Sequence, residues 1–384
     1  MKQIYMDCGA TTPVDPLVVE AMLPYFTEKF GNASSLHSFG REAKQALENS
    51  RAAVAEFIGA KPEEIVFTGG GTESDNLAIK GTAYWHRNHG RHIITSTIEH
   101  HAVLYTCKHL EKLGFEVTCI PVDKYGMVNP DDVRSAIRED TVLITIMHAN
   151  NEIGTIEPVN EIGRIAKDRG IYFHTDAVQS AGKIPVNVGD LCVDLLSISA
   201  HKIYGPKGVG ALYVRDGIDI ESLVDGGGHE RTLRSGTENI PAIVGFAKAC
   251  ELAHQNMKSD AAHLKNLQNK IINGILKIEG CYLNGHPTKR LPNNIHVCFN
   301  DIDGDLLLLE LDDCGIAVST GSACSSGSLE PSHVLLATGL KPEEAQGSLR
   351  ITLGRDNTHE DVEYLLEKLT PIIESLRKTH SLPE

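Results

Sequence analysis

The stretch 197–208 changes abruptly from apolar residues to residues that can do chemistry. An apolar run ends at Ile198, and Ser199, His201 and Lys202 follow it before a glycine-rich turn. This pattern predicts a buried strand that presents polar groups at its C-terminal end, where open α/β sheets bind their ligands. A lysine at that point is either an exposed amine or a Schiff-base nucleophile, kept partly neutral by burial or by a nearby cation.

A carboxylate occupies a similar position one structural unit earlier. Asp176 follows an apolar run, and Gln179 comes three residues later. An isolated Asp there is more often a helix N-cap than a catalytic group. Asp176 precedes Lys202 by one strand–connection–strand unit, however, so both side chains can lie at the same edge of a sheet. A carboxylate at that edge could hold a pyridine nitrogen protonated.

Two further strand ends carry polar groups. Residues 68–74 follow one strand and open a helix, where Gly71 and Thr72 would expose backbone N–H groups that suit a phosphate. Another strand ends just before His100 and His101. Adjacent histidines make a poor metal site, so one imidazole either stacks on a flat ring and moves protons or simply ends a helix.

Together these strand ends supply a phosphate seat, an acid for a pyridine nitrogen, an imidazole and an amine. The set fits pyridoxal 5′-phosphate (PLP) better than a dinucleotide, because the chain has no G-x-G-x-x-G fingerprint. We therefore predict a PLP site and no metal site.

Two residues near the C-terminus complete the candidate site. Cys324 lies among small, polar and glycine residues that cannot form a core, which predicts an exposed and mobile loop. A few per cent of such a thiol is ionised near neutral pH, and thiolate is a strong nucleophile. Arg350 lies inside an apolar strand, where it either grips a substrate carboxylate or makes a structural ion pair.

Short apolar runs that alternate with helical patterns must position these groups. The predicted strands are 64–67, 92–96, 117–121, 142–148, 171–174, 193–198 and 209–214. The predicted helices are 16–30, 38–58, 72–88, 102–113, 130–138 and 159–169. This alternation predicts an α/β fold with a mostly parallel seven-stranded sheet between helices, whose last strand is free to run against the others.

The rest of the chain predicts a second, smaller unit. A long helix over 240–278 leads to strands at 294–299 and 349–353 and to helices at 304–311 and 362–377. We expect a large cofactor-binding domain over 15–255 and a small α+β domain formed by 1–14 and 256–384.

The composition argues against several classes of protein. The formal net charge of −15, with scattered Lys and Arg residues, argues against nucleic acid or an anionic membrane as the main partner. No apolar run approaches about 18 residues and the start lacks a signal-peptide core, so we expect a soluble cytoplasmic protein. Nine cysteines without a C-x-x-C pair fit neither a disulfide framework nor a zinc site.

In this order and spacing the motifs resemble those of the NifS/IscS cysteine desulfurases, which are fold-type I PLP enzymes of the class-V aminotransferase family. The resemblance covers nearly the whole chain. It rests on Asp176 with Gln179 and on the segments 10–15 (ATTPVD), 72–76 (TESDN), 99–100 (EH), 150–154 (NNEIG), 199–208 (SAHKIYGPKG), 234–237 (RSGT) and 321–324 (GSAC).

The resemblance implies a role for each candidate residue. Lys202 would bind PLP as a Schiff base, Asp176 would pair with the ring nitrogen, and Gln179 would contact the ring hydroxyl. His100 would stack on the ring and shuttle protons. Asn151 and Arg350 would bind the substrate carboxylate. The phosphate would be bound by Gly71, Thr72, Ser199 and His201, together with Thr237 from the second subunit of a homodimer.

The implied reaction takes sulfur from L-cysteine and leaves L-alanine and a persulfide on Cys324. The sulfur would pass to an acceptor, such as an iron–sulfur scaffold protein or a tRNA-thiolation partner. The alternatives are a selenocysteine lyase or other PLP lyase, an aminotransferase, which would not need Cys324, and a non-catalytic scaffold that carries sulfur or metal. Cys8 and His101 depart from the family pattern without touching these roles.

Overall fold

The structure, a computed structural model, describes residues 2–321 and 331–380. In chain order its strands are β1 (Ile4–Tyr5), β2 (Ile65–Thr68), β3 (His92–Ser96), β4 (Glu116–Ile120), β5 (Thr141–Thr145), β6 (Tyr172–Asp176), β7 (Leu195–Ser199), β8 (Gly210–Val214), β9 (Cys281–Leu283), β10 (Asn294–Phe299), β11 (Ile316–Ala317) and β12 (Ser348–Thr352). Its α-helices are α1 (Pro16–Met22), α2 (Pro24–Thr27), α3 (Ser38–Ile58), α4 (Gly71–His86), α5 (His101–Glu111), α6 (Pro130–Ala136), α7 (Val159–Arg169), α8 (Val188–Leu191), α9 (Ile240–Ile275), α10 (Gly304–Asp313), α11 (His333–Ala337), α12 (Pro342–Gln346) and α13 (His359–His380). None of the described helices is both long and apolar enough to span a bilayer.

Seven strands form the central sheet, in the order β2-β8-β7-β6-β5-β3-β4. The run from β4 through β3, β5 and β6 to β7 is parallel, whereas β8 is antiparallel to both of its neighbours. The predicted α/β fold is confirmed, including a last strand that runs against the others. Because the strands from β3 to β7 are parallel, their carboxyl ends meet at one edge of the sheet.

Helices bury both faces of this sheet. Successive residues of β3 point to opposite faces, so Ile94 joins the core that contains Leu47 of α3, whereas Ile93 joins the core that contains Leu110 of α5. All five residues of β3 are buried. A strand covered on both faces needs apolar residues on both, which explains the continuous apolar runs in the sequence.

A second hydrophobic core surrounds the three-stranded sheet β12-β10-β9. Helix α9 contributes to both cores, with Phe246 in the first and Leu267 in the second. Strand β1 belongs to the second core, where Ile4 pairs in parallel with Ile316 of β11. The N-terminal strand therefore lies with the C-terminal part of the chain, and the domain boundaries near residues 15 and 255 stay a prediction.

One predicted helix is divided in two. The pattern over 16–30 predicts a single helix, but α1 ends at Met22 and α2 begins at Pro24. Proline has no N–H to donate and its ring clashes with the preceding turn, so the helix breaks there. The sequence pattern also does not predict β9, β11, α8, α11 and α12, because each has only two to five residues and so little periodicity.

Candidate active site

A cavity of about 320 Å³ opens at the carboxyl edge of the central sheet. Ten of the predicted site residues line it: Gly71, Thr72, His100, Asn151, Asp176, Gln179, Ser199, His201, Lys202 and Arg350. Thr237 is exposed and does not line this cavity. Cys324 lies outside the described residues. The folded chain thus brings together the residues that the sequence placed at separate strand ends.

Lys202 reaches the cavity from a short 3₁₀ turn that follows β7. Its Nζ atom donates hydrogen bonds to the carbonyl oxygens of Gly9 at 2.6 Å and Ala10 at 2.8 Å. The side-chain amide of Gln179 donates to the same Gly9 oxygen at 3.0 Å. The loop after β1 therefore holds the candidate nucleophile, and one of its carbonyl groups serves two site residues.

Asp176 is buried at the end of β6, where its Oδ1 atom accepts a hydrogen bond from the Val178 N–H at 2.8 Å. Burial raises the pKa of Asp176 to about 6, although the charge of Lys202 opposes this shift. Burial and the Asp176 charge also raise the pKa of Asp75. Asp75 lies 3.7 Å from His174, but burial lowers the His174 pKa to about 3, so this contact is not an ion pair. A cation in the cavity would favour the ionised form of Asp176.

His100 is the N-cap of α5 and also lines the cavity. Its Nδ1 atom accepts a hydrogen bond from the Ala102 N–H at 3.1 Å, so a neutral His100 carries its proton on Nε2. Burial and then the charge of Lys202 lower the pKa of His100 to about 4, which keeps the ring neutral near pH 7. His101 instead stacks on Tyr105, with ring centroids 4.7 Å apart. His100 therefore ends a helix, as one interpretation of the histidine pair has it, and also reaches the cavity, while its role toward a ring and a proton stays a prediction.

The start of α4 is a turn built from glycine. Gly70 has a φ of 147°, which other residues rarely adopt, and a Cβ atom on Gly71 would lie 2.8 Å from Val178. No described side chain caps α4, so its first N–H groups are available to an anion. Ser199 and His201 line the cleft that adjoins this turn. The turn and these two side chains together suit a phosphate.

Arg350 and Asn151 present polar atoms that lack partners. Arg350 donates from Nη1 to the carbonyl oxygen of Asn151 at 3.2 Å and from Nη2 to Asp7 at 3.1 Å. Its Nε atom and the Oδ1 atom of Asn151 are buried and have no hydrogen-bond partner among the described residues. Buried polar atoms are nearly always paired, so these two atoms point to a polar ligand. Arg350 therefore makes the structural ion pair that the sequence left open and keeps a donor for a ligand as well.

Proteins of known family resemble the chain along nearly its whole length. Residues 4–365 match the family described as aminotransferase class-V. "Cysteine desulfurase IscS" from Methanosarcina thermophila is 57% identical over 381 residues, which cover 99% of this chain and 94% of that protein. The chain belongs to the cysteine desulfurases of this family. "Cysteine desulfurase IscS 1" from Archaeoglobus fulgidus is 53% identical and covers 98% of this chain and 99% of its own.

Solved structures agree with the fold of this cysteine desulfurase. A structure named "NIFS-LIKE PROTEIN" matches with a TM-score of 0.92 at 42% identity, over 97% of this chain and 100% of that one. "SspA in complex with cysteine" matches with a TM-score of 0.83 at 40% identity, over 93% and 100%. The predicted family, the fold-type I architecture and PLP as the cofactor are confirmed, while the roles of individual residues stay predictions.

The cavity of the desulfurase fits PLP. The amine of Lys202 can bond to an aldehyde, and the buried carboxyl group of Asp176 can face a ring nitrogen. The glycine turn at Gly70 and Gly71 leaves the space and the N–H groups that a phosphate needs. These three kinds of group lie around one cavity, as a single bound molecule requires.

Sequence reasoning did not single out Glu152. Its Oε2 atom accepts a hydrogen bond from Ser332 at 2.5 Å, and a Cβ atom on Gly321 would lie 2.7 Å from the same oxygen. Burial raises the pKa of Glu152 to about 7. Glu152 thus contacts both described flanks of the segment 322–330, and the available signal was its place in the N-N-E-I-G motif.

Proposed function

We propose that this cysteine desulfurase takes sulfur from L-cysteine in the cavity around Lys202 and stores it on Cys324 as a persulfide. The observation that carries the proposal is the convergence of Lys202, Asp176 and Arg350 on one cavity. The names of the relatives support the reaction, and the matched structure of SspA with cysteine supports the substrate.

The cofactor would be held at both ends. Lys202 would hold PLP covalently, while Asp176 would lie against its ring nitrogen and the amide oxygen of Gln179 against its ring hydroxyl. When bound, PLP would withdraw electrons from the Cα atom of the amino acid and so weaken the bonds at that carbon. Gly71, Thr72, Ser199 and His201 would hold the phosphate, together with Thr237 from a second subunit.

The substrate carboxylate would lie at Arg350 and Asn151. The buried Nε atom of Arg350 is a charged donor without a partner among the described residues, and the Nη1 atom of the same side chain bonds the main-chain carbonyl of Asn151. A guanidinium next to a carboxylate makes a short, charge-assisted hydrogen bond. This contact would orient L-cysteine and select amino acids over simple amines.

His100 would stack on the ring of the cofactor and shuttle protons at the reacting carbon. Its Nδ1 atom is engaged by the Ala102 N–H, so the exchangeable proton is on Nε2. Its lowered pKa, about 4, makes the ring a poor place to store an extra proton. We infer that His100 donates a hydrogen bond from Nε2 and shuttles a proton to the product carbon only as a second proton reaches the ring, because a neutral imidazole that lost its one proton would be left as a strongly basic imidazolate.

Cys324 would accept the sulfur. Its thiolate would attack the sulfur atom of the substrate, a new S–S bond would form, and the C–S bond would break with its electron pair moving to carbon. Protonation of that carbon gives L-alanine. We further propose that the persulfide sulfur passes to an acceptor protein, such as an iron–sulfur scaffold, in the cytoplasm.

A homodimer would cover an apolar surface near the N-terminus. Large apolar side chains are exposed from the end of α1 to the first turn of α3: Leu23, Phe26, Phe30, Leu36 and Phe39. Leu36 is 89% exposed and Phe30 is 64% exposed, and such a patch is unusual on a monomer. A second copy of the chain would bury it and could bring Thr237 to the neighbouring phosphate.

Alanine formation from L-cysteine tests the proposed function. We expect the wild-type protein to form alanine, and Lys202→Ala and Cys324→Ala to lose the activity. Cys119→Ala is the control, because Cys119 is exposed but lies on β4, away from the cavity. Full activity of Cys324→Ala would contradict the role of that thiol. Selenocysteine turned over far faster than cysteine would favour a selenocysteine lyase.

A further inference from the structure

A second amine is buried close to Lys202. Lys183 lies in the turn that follows β6 and is only 8% exposed. Its Nζ atom donates one hydrogen bond, to the carbonyl oxygen of Gln179 at 2.9 Å. No carboxylate of the described residues lies within ion-pairing distance of it. A buried ammonium group without a counter-ion is costly, so its presence at this site calls for a reason.

Hydrogen bonds connect Lys183 with Lys202 through two residues. Lys183 binds the main chain of Gln179, and the Gln179 side chain binds the carbonyl oxygen of Gly9. Lys202 binds that same oxygen. The two amines also line one small cavity on the side of Lys202 next to α9. Lys183 and Lys202 are therefore linked through Gln179 and Gly9 and border the same cavity.

Two carboxylates, Asp15 and Asp260, line the cavity with Lys183, but neither lies within ion-pairing distance of its amine. The titratable or charged groups that line this cavity with it are Cys8, Asp15, Lys202, Tyr204, Asp260 and Arg355. Burial raises the pKa of Cys8 to about 12, so its thiol is neutral near pH 7. Asp15 is paired with Arg355. Burial, followed by the charge of Lys202, lowers the pKa of Lys183 to about 7.

We propose that Lys183 is a positioning residue for Lys202: in its protonated form it is a second positive charge that favours loss of a proton from the Lys202 amine. Repulsion between two charges acts equally on both partners, so a charge on Lys183 disfavours a proton on Lys202 as much as the reverse. An amine next to another cation in a buried site is a better nucleophile near neutral pH. Lys183 would thereby help Lys202 to bond to the cofactor and would lower the proton affinity of that linkage.

The inference rests on the proposed role of Lys202, and pH titration of the cofactor absorbance tests both. The experiment uses the PLP-loaded full-length protein without substrate and compares wild type with Lys183→Arg, Lys183→Gln and Lys183→Met. Arginine keeps its charge at every pH, whereas glutamine keeps a hydrogen-bond donor for Gln179 without the charge. Methionine keeps only the approximate length of the side chain.

The expected order of titration midpoints is arginine lowest, then lysine, then glutamine and methionine. The neutral variants should shift the midpoint upward by about one pH unit, the usual effect of removing a neighbouring charge. A purely structural role would not produce this order. Equal midpoints in all four proteins, or no titration in any, would overturn the inference. If only Lys183→Arg folds, a midpoint at or above that of wild type overturns it.

The same data separate this inference from the proposed function. A wild-type protein that binds no PLP at Lys202 would contradict the proposed function and, with it, the role of Lys183. If the cofactor absorbance of the wild-type protein titrates with pH, but the midpoint is the same in every variant at residue 183, only the role of Lys183 is contradicted.

Discussion

The Nζ atom of Lys202 lies 2.6 Å from the carbonyl oxygen of Gly9, 193 residues earlier in the chain. The contact joins the carboxyl edge of the central sheet to a loop that follows β1, a strand of the second core. Elements of both cores therefore contribute residues to the cavity. Changes in the N-terminal loop should reach the cofactor lysine directly.

Arg350→Lys should lower kcat/KM for L-cysteine by about ten- to hundredfold, because an ammonium group cannot reproduce the charged hydrogen bonds of a guanidinium. The loss should fall mainly on KM, with the PLP absorbance retained. Arg138→Lys is the control. Like Arg350, Arg138 makes ion pairs, but its partners Glu116 and Asp140 lie at the surface. Equal kinetics for Arg350→Lys and wild type would argue that Arg350 serves only Asp7.

Asp176→Asn should lower kcat by about a hundredfold or more, because an amide cannot hold the ring nitrogen protonated as a carboxylate does. Steady-state kinetics measures the effect, and the absorbance of bound PLP shows that the cofactor is still present. Asp194→Asn is the control. Asp194 is also buried and also accepts a backbone N–H, from Phe173 at 2.8 Å, but it does not line the cavity. Similar losses in both variants would point to folding rather than chemistry.

Glu230→Gln should reduce the free energy of unfolding by about 3 kcal/mol, because it removes the buried counter-ion of Arg51 and leaves the guanidinium only the largely exposed carboxylate of Glu48. The two carboxylate oxygens of Glu230 accept hydrogen bonds from Arg51, each at 2.7 Å, and one also accepts the Phe67 N–H at 2.7 Å. Urea titration measures the change.

The control for that stability prediction is Glu363→Gln. Glu363 pairs with Lys270 at the surface, and surface pairs contribute little to stability. Glu363→Gln should therefore reduce the free energy of unfolding much less than Glu230→Gln does. A Glu230→Gln protein as stable as Glu363→Gln would show that the buried pair does not stabilise the fold.

Glu99 should make the protein less stable as the pH rises. Burial raises its pKa from an ordinary 4.5 to about 8, so the folded protein keeps this carboxyl group protonated where the unfolded chain ionises it. The resulting stability is fully present below pH 4.5 and is lost as the pH rises through 8. Glu99→Gln, neutral at every pH, should lose less stability than wild type over that window in urea titrations. Glu111→Gln, an exposed change on α5, should behave like wild type.

Much of the fold could be predicted because the signals are local. Helix α3 runs over Ser38–Ile58 as its pattern predicts, because Ala43, Leu47 and Val54 form one buried stripe and Gly59 ends it in a left-handed conformation. Such a stripe and such a stop are both visible in the sequence. The proline that divides α1 from α2 is also visible in the sequence, but the apolar pattern continues across it and predicts a single helix.

Most of the candidate site could be predicted because its residues follow strands, whereas Arg350 stood out as a charge inside one. Asp176 and Lys202 lie at strand ends, and parallel strands bring such ends together. The carbonyl of Gly9 and the carboxylate of Asp7 depend instead on which loop folds over the cavity. Nothing in the local sequence specifies that placement, because the contacts join residues far apart in the chain.

The location of the transferred sulfur tests the central claim most directly. The PLP-loaded protein is incubated with L-cysteine, without reductant or acceptor, and peptide mass spectrometry locates any cysteine that has gained one sulfur atom. We predict that the extra sulfur is on Cys324 and that Lys202→Ala carries none. Alanine formation with the sulfur on another cysteine, such as Cys119, or on none, would contradict the account.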